Sequence, residues 1–296
     1  MTENEFLLAD RIQKIRSMNE QYDLEHNAYI SYSGGKDSTV LSHLIDEALP
    51  NNKIPRVYMN TGIEYKMVVA YVERERERDC RFFIIKPLQN IKNILEEFGY
   101  PFKSKEHSLY LSVYQNSGMT KSVLKYLNRT DSKYACPATL RYQFEKDFNI
   151  KISNKCCYKL KKNVAEKWRK ENKKTITITG MRKGEGGLRA GIKGCAIFDE
   201  GKLKKFHPLL PVEDDFIDWY IAERNIELCE LYYSPYNFKR TGCKGCPYSL
   251  DLQRQLDIMA MFLPAEKKQC EIIWKPIYEE YRRIGYRLNE QPSLFD

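Results

Sequence analysis

The segment Ala28-Tyr29-Ile30-Ser31-Tyr32 reads as a short apolar strand, and it runs directly into Ser33-Gly34-Gly35-Lys36-Asp37-Ser38. An amphipathic stretch follows from Thr39 to Leu49, with Val40, Leu41, Leu44 and Ile45 apolar at helical spacing. Strand, glycine turn and helix in that order strongly restrict what the chain can build. Two adjacent glycines let the backbone adopt φ > 0 and approach a ligand closely. Successive N–H groups then form a nest for an anion, with a helix N-terminus behind it. Ser33 and Ser38 add hydroxyl donors and Lys36 adds charge. The spacing is neither G-x-x-x-x-G-K-[ST] nor G-x-G-x-x-G. A bare Ser-Gly-Gly fits any tight turn, but six such residues between a strand and a helix point to phosphate.

The pattern repeats along the chain. Residues 5–22 carry apolar Phe6, Leu7, Leu8, Ile12 and Ile15 at helical spacing. Strands are expected at 57–60, 81–85 and 175–179, with helices at 64–78, 89–98 and 163–172. Strands alternating with helices imply an α/β fold with a mostly parallel, doubly wound sheet covered on both faces. Ligands of such sheets bind outside the carboxyl ends of the strands. The loops at 33–38, 60–64 and 180–189 each follow a strand, so they are expected to share one rim. After residue 206 come a proline-bounded extended piece, a helix at 213–224, a loop with two cysteines, and helical segments over 250–285 broken near Pro264 and Pro276. The expected organisation is an N-terminal helix (1–25), a nucleotide-binding domain (26–205) and a C-terminal helical extension (206–296) that completes a cysteine site.

Charge is concentrated. The chain's net charge is +9, yet residues 151–205 alone carry +12, leaving the rest slightly acidic. Such a segment attracts polyanions, whether nucleic acid, nucleotide or sulfate, and it also fits a solvated lysine-rich helix face. With 42% hydrophobic and 30% charged residues, composition excludes a disordered chain. No apolar run approaches the ~20 residues of a membrane span. The acidic start Met1-Thr2-Glu3-Asn4-Glu5 lacks the features of a signal peptide. A cytoplasmic protein with no membrane partner is expected. Nine cysteines in that compartment favour metal or redox chemistry over disulfides.

The hexapeptide Ser33–Ser38 resembles the SGGxDS signature of the PP-loop ATP pyrophosphatases, of the adenine nucleotide alpha hydrolase-like fold. The resemblance implies an enzyme that cleaves ATP between its α- and β-phosphates, with magnesium as counter-ion. Asn60-Thr61-Gly62-Ile63-Glu64 sits where phosphoadenylyl-sulfate (sulfonucleotide) reductases carry a strand-end Thr-Gly motif. Thr179-Gly180-Met181-Arg182-Lys183-Gly184-Glu185, followed by Arg189, is similar to their later Gly-x-Arg-x-x-Glu motif. His207-Pro208-Leu209-Leu210 and Asp218-Trp219 resemble the segment after it. The likeness covers roughly residues 26–250, and the order of the motifs carries it. It implies that Ser33, Gly34, Gly35, Lys36, Asp37, Ser38, Thr61, Gly62, Arg182, Glu185 and Arg189 contact the nucleotide, and that Lys36, Asp37 and Arg182 act in catalysis.

Cys156 and Cys157 are adjacent, and Cys243-Lys244-Gly245-Cys246 forms a C-x-x-C. Four thiolates suit an iron–sulfur cluster or zinc. Neighbouring residues rarely place both thiolates on one tetrahedral ion, which favours the cluster over zinc. The set resembles the [4Fe–4S] ligands of assimilatory adenylyl-sulfate reductases. Lys155, Lys159 and Lys161 would offset the thiolate charge. Of the remaining cysteines, Cys136 and Cys195 lie in loop-like contexts where a thiol could carry sulfur. Cys270 does not match the reductases' terminal Glu-Cys-Gly-Leu-His motif, and the stretch from Arg287 to Asp296 contains no cysteine.

The phosphate loop of true reductases is commonly degenerate, whereas all six signature residues stand here. The leading expectation is therefore an ATP-dependent sulfur-transfer enzyme acting on nucleic acid, of the DNA phosphorothioation or RNA thiolation type. A cysteine desulfurase or another sulfur donor would be its partner. The alternatives are a sulfonucleotide reductase and a non-catalytic nucleotide-binding module with a structural cluster. Gln291-Pro292-Ser293-Leu294-Phe295 also resembles the short motif that docks bacterial DNA proteins on the replication sliding clamp.

Overall fold

A computed structural model describes residues 2–130, 135–185, 189 and 191–289. The clamp-like tail, Gln291–Phe295, lies outside the described residues. In chain order the elements begin with α1 (Glu3–Tyr22), the single turn α2 (Leu24–Asn27), β1 (Ala28–Tyr32), α3 (Lys36–Ala48), β2 (Arg56–Met59), α4 (Lys66–Arg78) and β3 (Phe82–Ile85). Next come α5 (Ile91–Phe98), α6 (Lys105–Ser117), α7 (Lys121–Leu127) and a π-helical turn (Tyr158–Lys162) that passes into α8 (Asn163–Glu171). They are followed by β4 (Ile176–Ile178), β5 (Ala196–Asp199), β6 (Lys202–Phe206) and α9 (Asp214–Glu223), and then by α10 (Leu252–Phe262), α11 (Pro264–Ile273) and α12 (Lys275–Arg283).

Two compact units share these elements. The first comprises residues 1–60, 64–86 and 163–242; the second comprises 61–63, 87–162 and 243–296. The first unit holds a six-stranded sheet in the order β3-β2-β1-β4-β6-β5. All neighbours are parallel except the β5–β6 pair. This is the mostly parallel α/β sheet that the alternating pattern predicts. Strand order reverses between β1 and β4: the chain builds β2 and β3 on one side of β1 and returns to place β4 on the other. The carboxyl ends of β1 and β4 thus flank a topological switch point, where open α/β sheets bind ligands.

Alternation along β1 explains how both faces are covered. Ile30 turns into a core with Ile15, Leu41, Leu44, Ile45, Ile178, Phe206, Phe216 and Ile217, contributed by α1, α3, β4, β6 and α9. Tyr29 turns the opposite way and packs with Val57 and Trp168, its ring centroid 5.4 Å from that of Trp168 on α8. The β5–β6 hairpin is absent from the sequence reading. Its turn is Glu200-Gly201, both residues at positive φ (50° and 72°), the geometry of a two-residue hairpin turn that matches strand twist.

The second unit is helical at its core. Asn90, Ser104 and Thr120 cap α5, α6 and α7, each side chain accepting a hydrogen bond from the backbone N–H three residues on. His107 lies fully buried on α6, its Nδ1 2.9 Å from the Tyr126 hydroxyl and its Nε2 2.8 Å from Gln143 Oε1. Burial pushes its pKa down to about 4. Between that value and the unfolded histidine value near 6.5, only the unfolded chain takes up the proton. His107 therefore costs no stability above about pH 6.5 and removes up to about 3 kcal/mol as pH falls to 4. His107→Gln is expected to flatten this part of the acid loss, measured as denaturation midpoints at pH 7 and pH 5. Equal losses in wild type and variant would show that the imidazole is not responsible.

Candidate functional site

In the first unit β1 ends at Tyr32 and α3 starts at Lys36, so Ser33-Gly34-Gly35 makes the whole turn. Gly34 has φ +69°, and a Cβ there would stand 2.8 Å from Val68 Cγ1 and 2.9 Å from Val72 Cγ2 on α4. The left-handed requirement thus falls on Gly34 alone. Gly35 caps α3 with φ −92°, an ordinary conformation. Its α-hydrogens face hydroxyls: a Cβ would meet Thr241 Oγ1, Ser33 Oγ and Tyr232 OH at 3.1–3.2 Å. The two glycines therefore predict different losses. Gly34→Ala is expected to cost about 1–2 kcal/mol of stability from the αL conformation alone, plus the clash with α4. Gly35→Ala should largely spare stability and weaken anion binding. Denaturation midpoints of the two variants would separate them, and equal stability would sink the distinction.

The nest's donors have internal partners. Gly35 N–H donates to Ser33 Oγ at 3.3 Å and Lys36 N–H to the Tyr232 hydroxyl at 2.9 Å. Ser33 N–H donates to Ser38 Oγ at 3.2 Å, and Ser38 Oγ donates to the Gly35 carbonyl at 2.9 Å. Lys36 Nζ lies 2.8 Å from Asp218 Oδ1.

The loop after β4 is seated on this turn. A Cβ at Gly180 would fall 2.7 Å from the Asp37 carbonyl oxygen and 3.3 Å from Ser38 N, so the Gly180 backbone packs directly on the first turn of α3. Two residues on, Arg182 is buried and bonds Asp37 Oδ1 through Nε at 2.9 Å and Asp214 Oδ1 through Nη2 at 2.6 Å. The guanidinium holds the Asp214 carboxyl below its usual range. Arg182 N–H donates to Glu185 Oε2 at 3.2 Å, and Glu185 pairs with Arg189 and, at 3.3 Å, with Arg240. The structure thus gathers Ser33 to Ser38, Arg182, Glu185 and Arg189 around one glycine turn. Thr61 and Gly62 follow β2 but belong to the second unit; Thr61 is buried and Gly62 has φ +80°.

Sequence reasoning missed Tyr232, Thr241, Asp214 and Arg240. They lie 178 or more residues from Lys36, and no short spacing marks them. His207 is another surprise. It is fully buried, its Nδ1 2.7 Å from Thr179 Oγ1, and among the described residues its Nε2 has no hydrogen-bond partner. Burial pushes its pKa down to about 4, so the ring is neutral.

The four predicted cysteine ligands all fall in the second unit. Cys156 and Cys157 open the helix that becomes the π-helical turn, where Lys155 and Lys159 both lie over the Phe98 ring, at 5.3 and 4.3 Å from its centroid. Cys243 to Cys246 form a tight loop with Gly245 at φ +59°. The helices behind hold that loop by its carbonyls. Trp274 Nε1 donates to Lys244 O at 3.2 Å, the Tyr278 hydroxyl to Gly245 O, and the Tyr281 hydroxyl to Pro247 O at 2.9 Å. The thiols lie close enough that Cys156, Cys157 and Cys246 are each shifted by others of the set. Cys156 is pushed up, first by its hydrogen bond to Cys157 and then by burial, with Cys243 and Cys246 adding repulsion. Cys157 is pushed down by accepting that bond, and Lys105, Lys161 and Lys162 favour its thiolate. Burial, Cys243 and Cys157 raise Cys246. Crowded thiolates beside lysines fit a multinuclear cationic group. Among the described residues no three His, Cys, Asp or Glu side chains converge on a single metal ion.

Of the other thiols, those of Cys136, Cys229 and Cys270 are buried. Cys270 is buried against Gly245, and burial pushes it up to about 12. Burial also raises Cys136. Cys195 is half-buried, its Sγ 3.6 Å from Arg11 Nη1. Among the described residues no helix is long and apolar enough to cross a membrane.

A glycine turn and helix N-terminus at the switch point of a parallel sheet, faced by lysine and arginine, are the arrangement of an α/β protein of the PP-loop kind. The family model for the phosphoadenosine phosphosulfate reductase domain matches residues 27–249. That span exceeds two thirds of the 296 residues, and the chain belongs to this family. No curated protein matches it. Among solved structures, the chain is similar to phosphoadenylyl-sulfate reductase from Candida auris at 14% identity, over 73% of this chain and 81% of that one, with TM-score 0.43. It is similar to the U34-tRNA thiolase NcsA from Methanococcus maripaludis, solved with its [4Fe-4S] cluster, at 15% identity, over 98% and 82%, with TM-score 0.42. It is similar to Candida glabrata FMN adenylyltransferase at 14% identity and TM-score 0.46, over 80% of this chain but 61% of that one, less than two thirds of its length. At such scores the likenesses carry no argument about chemistry.

Proposed function

We propose that this chain is an ATP pyrophosphatase that activates an oxygen of a nucleic acid for sulfur transfer. The observation that supports it best is the complete anion nest at Ser33–Ser38, with Arg182 fixed against it through Asp37. An acceptor oxygen would attack the α-phosphorus of ATP; the bond from that phosphorus to the α–β bridging oxygen would break, and pyrophosphate would leave. A hydrosulfide-level sulfur would then displace AMP from the adenylated acceptor, with no net redox change. Gly35 and Lys36 N–H groups and Lys36 Nζ would hold the departing phosphates, and Arg182 would offset charge that builds during transfer. Magnesium would arrive with the nucleotide. Cys156, Cys157, Cys243 and Cys246 would hold a [4Fe–4S] cluster, which would supply a sulfur-binding or electron-donating centre. A cysteine desulfurase is one class of sulfur source that fits.

The family match also supports a second reading, reduction of a sulfonucleotide. One set of measurements decides between them: pyrophosphate release from ATP, sulfite release from adenylyl sulfate with a thiol reductant, and nucleic-acid binding across salt. The proposal expects pyrophosphate release and a steep salt dependence, with a log–log slope of about −0.7 to −0.9 per phosphate contacted. Reductant-dependent sulfite release without nucleic-acid affinity would install the reductase reading.

A further inference from the structure

Two of the cations at the phosphate loop, Lys36 and Arg182, are each held by a carboxylate of α9. Lys36 Nζ lies 2.8 Å from Asp218 Oδ1, and Arg182 Nη2 lies 2.6 Å from Asp214 Oδ1. Positions 214 and 218 are one helical turn apart, so their side chains share a face. The partners differ sharply in freedom. The Arg182 and Lys36 side chains are 5% and 22% exposed, whereas those of Asp214 and Asp218 are 78% and 64% exposed. The cations are fixed in the wall of the site and the anions are free to swing away.

We propose that Asp214 and Asp218 are an internal counter-anion: they occupy Arg182 and Lys36 in the ligand-free protein, compete there with the phosphates of a bound polyphosphate, and reclaim both cations as pyrophosphate leaves. This rests on the reading of residues 33–38 as a polyphosphate loop. An exposed ion pair contributes only about 0–1 kcal/mol, so a polyphosphate bearing several charges displaces it readily. Asp214 lies in the first turn of α9, where the helix dipole continues to stabilise its carboxylate after Arg182 is given up. Asp37 remains on the guanidinium Nε throughout and keeps Arg182 aligned. Asp214 and Asp218 are therefore positioning residues that set the balance between holding and releasing the product.

The test is calorimetric binding of inorganic pyrophosphate with magnesium to the full chain. Asp214→Asn and Asp218→Asn are each expected to tighten binding by up to about fivefold, the equivalent of one exposed pair. Asp215→Asn is the control, because Asp215 Oδ1 accepts from Phe216 N–H at 2.8 Å and pairs with neither cation. It changes net charge equally and should leave the dissociation constant within about twofold, since its carboxylate is exposed and pairs with neither cation. Pyrophosphate release in single turnovers should slow in the two test variants. A purely structural role would predict weaker binding on amide substitution. Unchanged or weaker binding by both test variants overturns the proposal, as does equal tightening by Asp215→Asn. Failure of wild type and every variant to bind pyrophosphate overturns the polyphosphate reading itself, and the proposal with it.

Discussion

Arg182→Met is expected to slow AMP and pyrophosphate formation by about 10²- to 10³-fold, the usual cost of deleting one preorganised group that meets developing transition-state charge. The argument rests on placement. Arg182 is buried, its Nε is committed to Asp37 on the phosphate-loop helix, and its backbone N–H is tied to Glu185. Loss of the guanidinium also leaves Asp37 without its partner, but the Asp37 side chain is 25% exposed and hydration limits that penalty. Arg182→Lys keeps the charge and cannot reproduce the Nε–Nη2 fork that spans Asp37 and Asp214. It should recover only part of the rate. Steady-state pyrophosphate release at saturating ATP is the measurement. A rate within threefold of wild type in Arg182→Met would remove this residue from the chemistry.

Anaerobic preparation is expected to give brown protein with about four irons per chain, the content of a four-thiolate [4Fe–4S] centre. Cys157→Ser should lose nearly all of that iron. Cys157 accepts the hydrogen bond of Cys156 and lies among Lys105, Lys161 and Lys162, which makes it the thiol poised to ionise first. Cys270→Ser should keep the iron, because that thiol packs behind Gly245 as filler. Loss of the cluster should also loosen the 243–246 loop and lower the thermal midpoint, since ligand binding free energy is folding free energy. One equivalent of zinc and no iron would dispose of the cluster.

The parts of this architecture legible in the sequence are those written in local periodicity. Strand β1, the turn after it and helix α3 occupy consecutive residues, and their pattern of apolar side chains states both period and direction. The breaks before α11 and α12 are marked by Pro264 and Pro276, residues that start helices rather than continue them. The β5–β6 hairpin escaped because Lys202, Lys204 and Lys205 read as part of a basic run, and the Glu200-Gly201 turn lacks the usual Asn or Asp. At the site, Lys36, Asp37 and Arg182 were legible because short motifs carry them. Tyr232, which receives the Lys36 N–H, was not, because a phenol that caps a backbone donor can come from anywhere in the chain. The basic window 151–205 reads as continuous along the sequence, yet the unit boundary divides it between Lys162 and Asn163. Linear closeness does not place these charges in one unit.

The chain passes between its two compact units five times, at 60/61, 63/64, 86/87, 162/163 and 242/243. Neither unit is a contiguous stretch of gene, so neither can be cut out as a cassette or lost by a single truncation. The passages coincide with the chemistry-bearing segments. One pair brackets Thr61-Gly62, another interrupts the helix five residues after Cys157, and the last immediately precedes Cys243. A single proteolytic nick at 63/64, 86/87 or 162/163 would leave each unit with segments on both sides of the break, held by packing rather than by the backbone. The two bodies therefore behave genetically as one object, and a deletion that removes a cysteine loop also removes a strand of covalent thread between them.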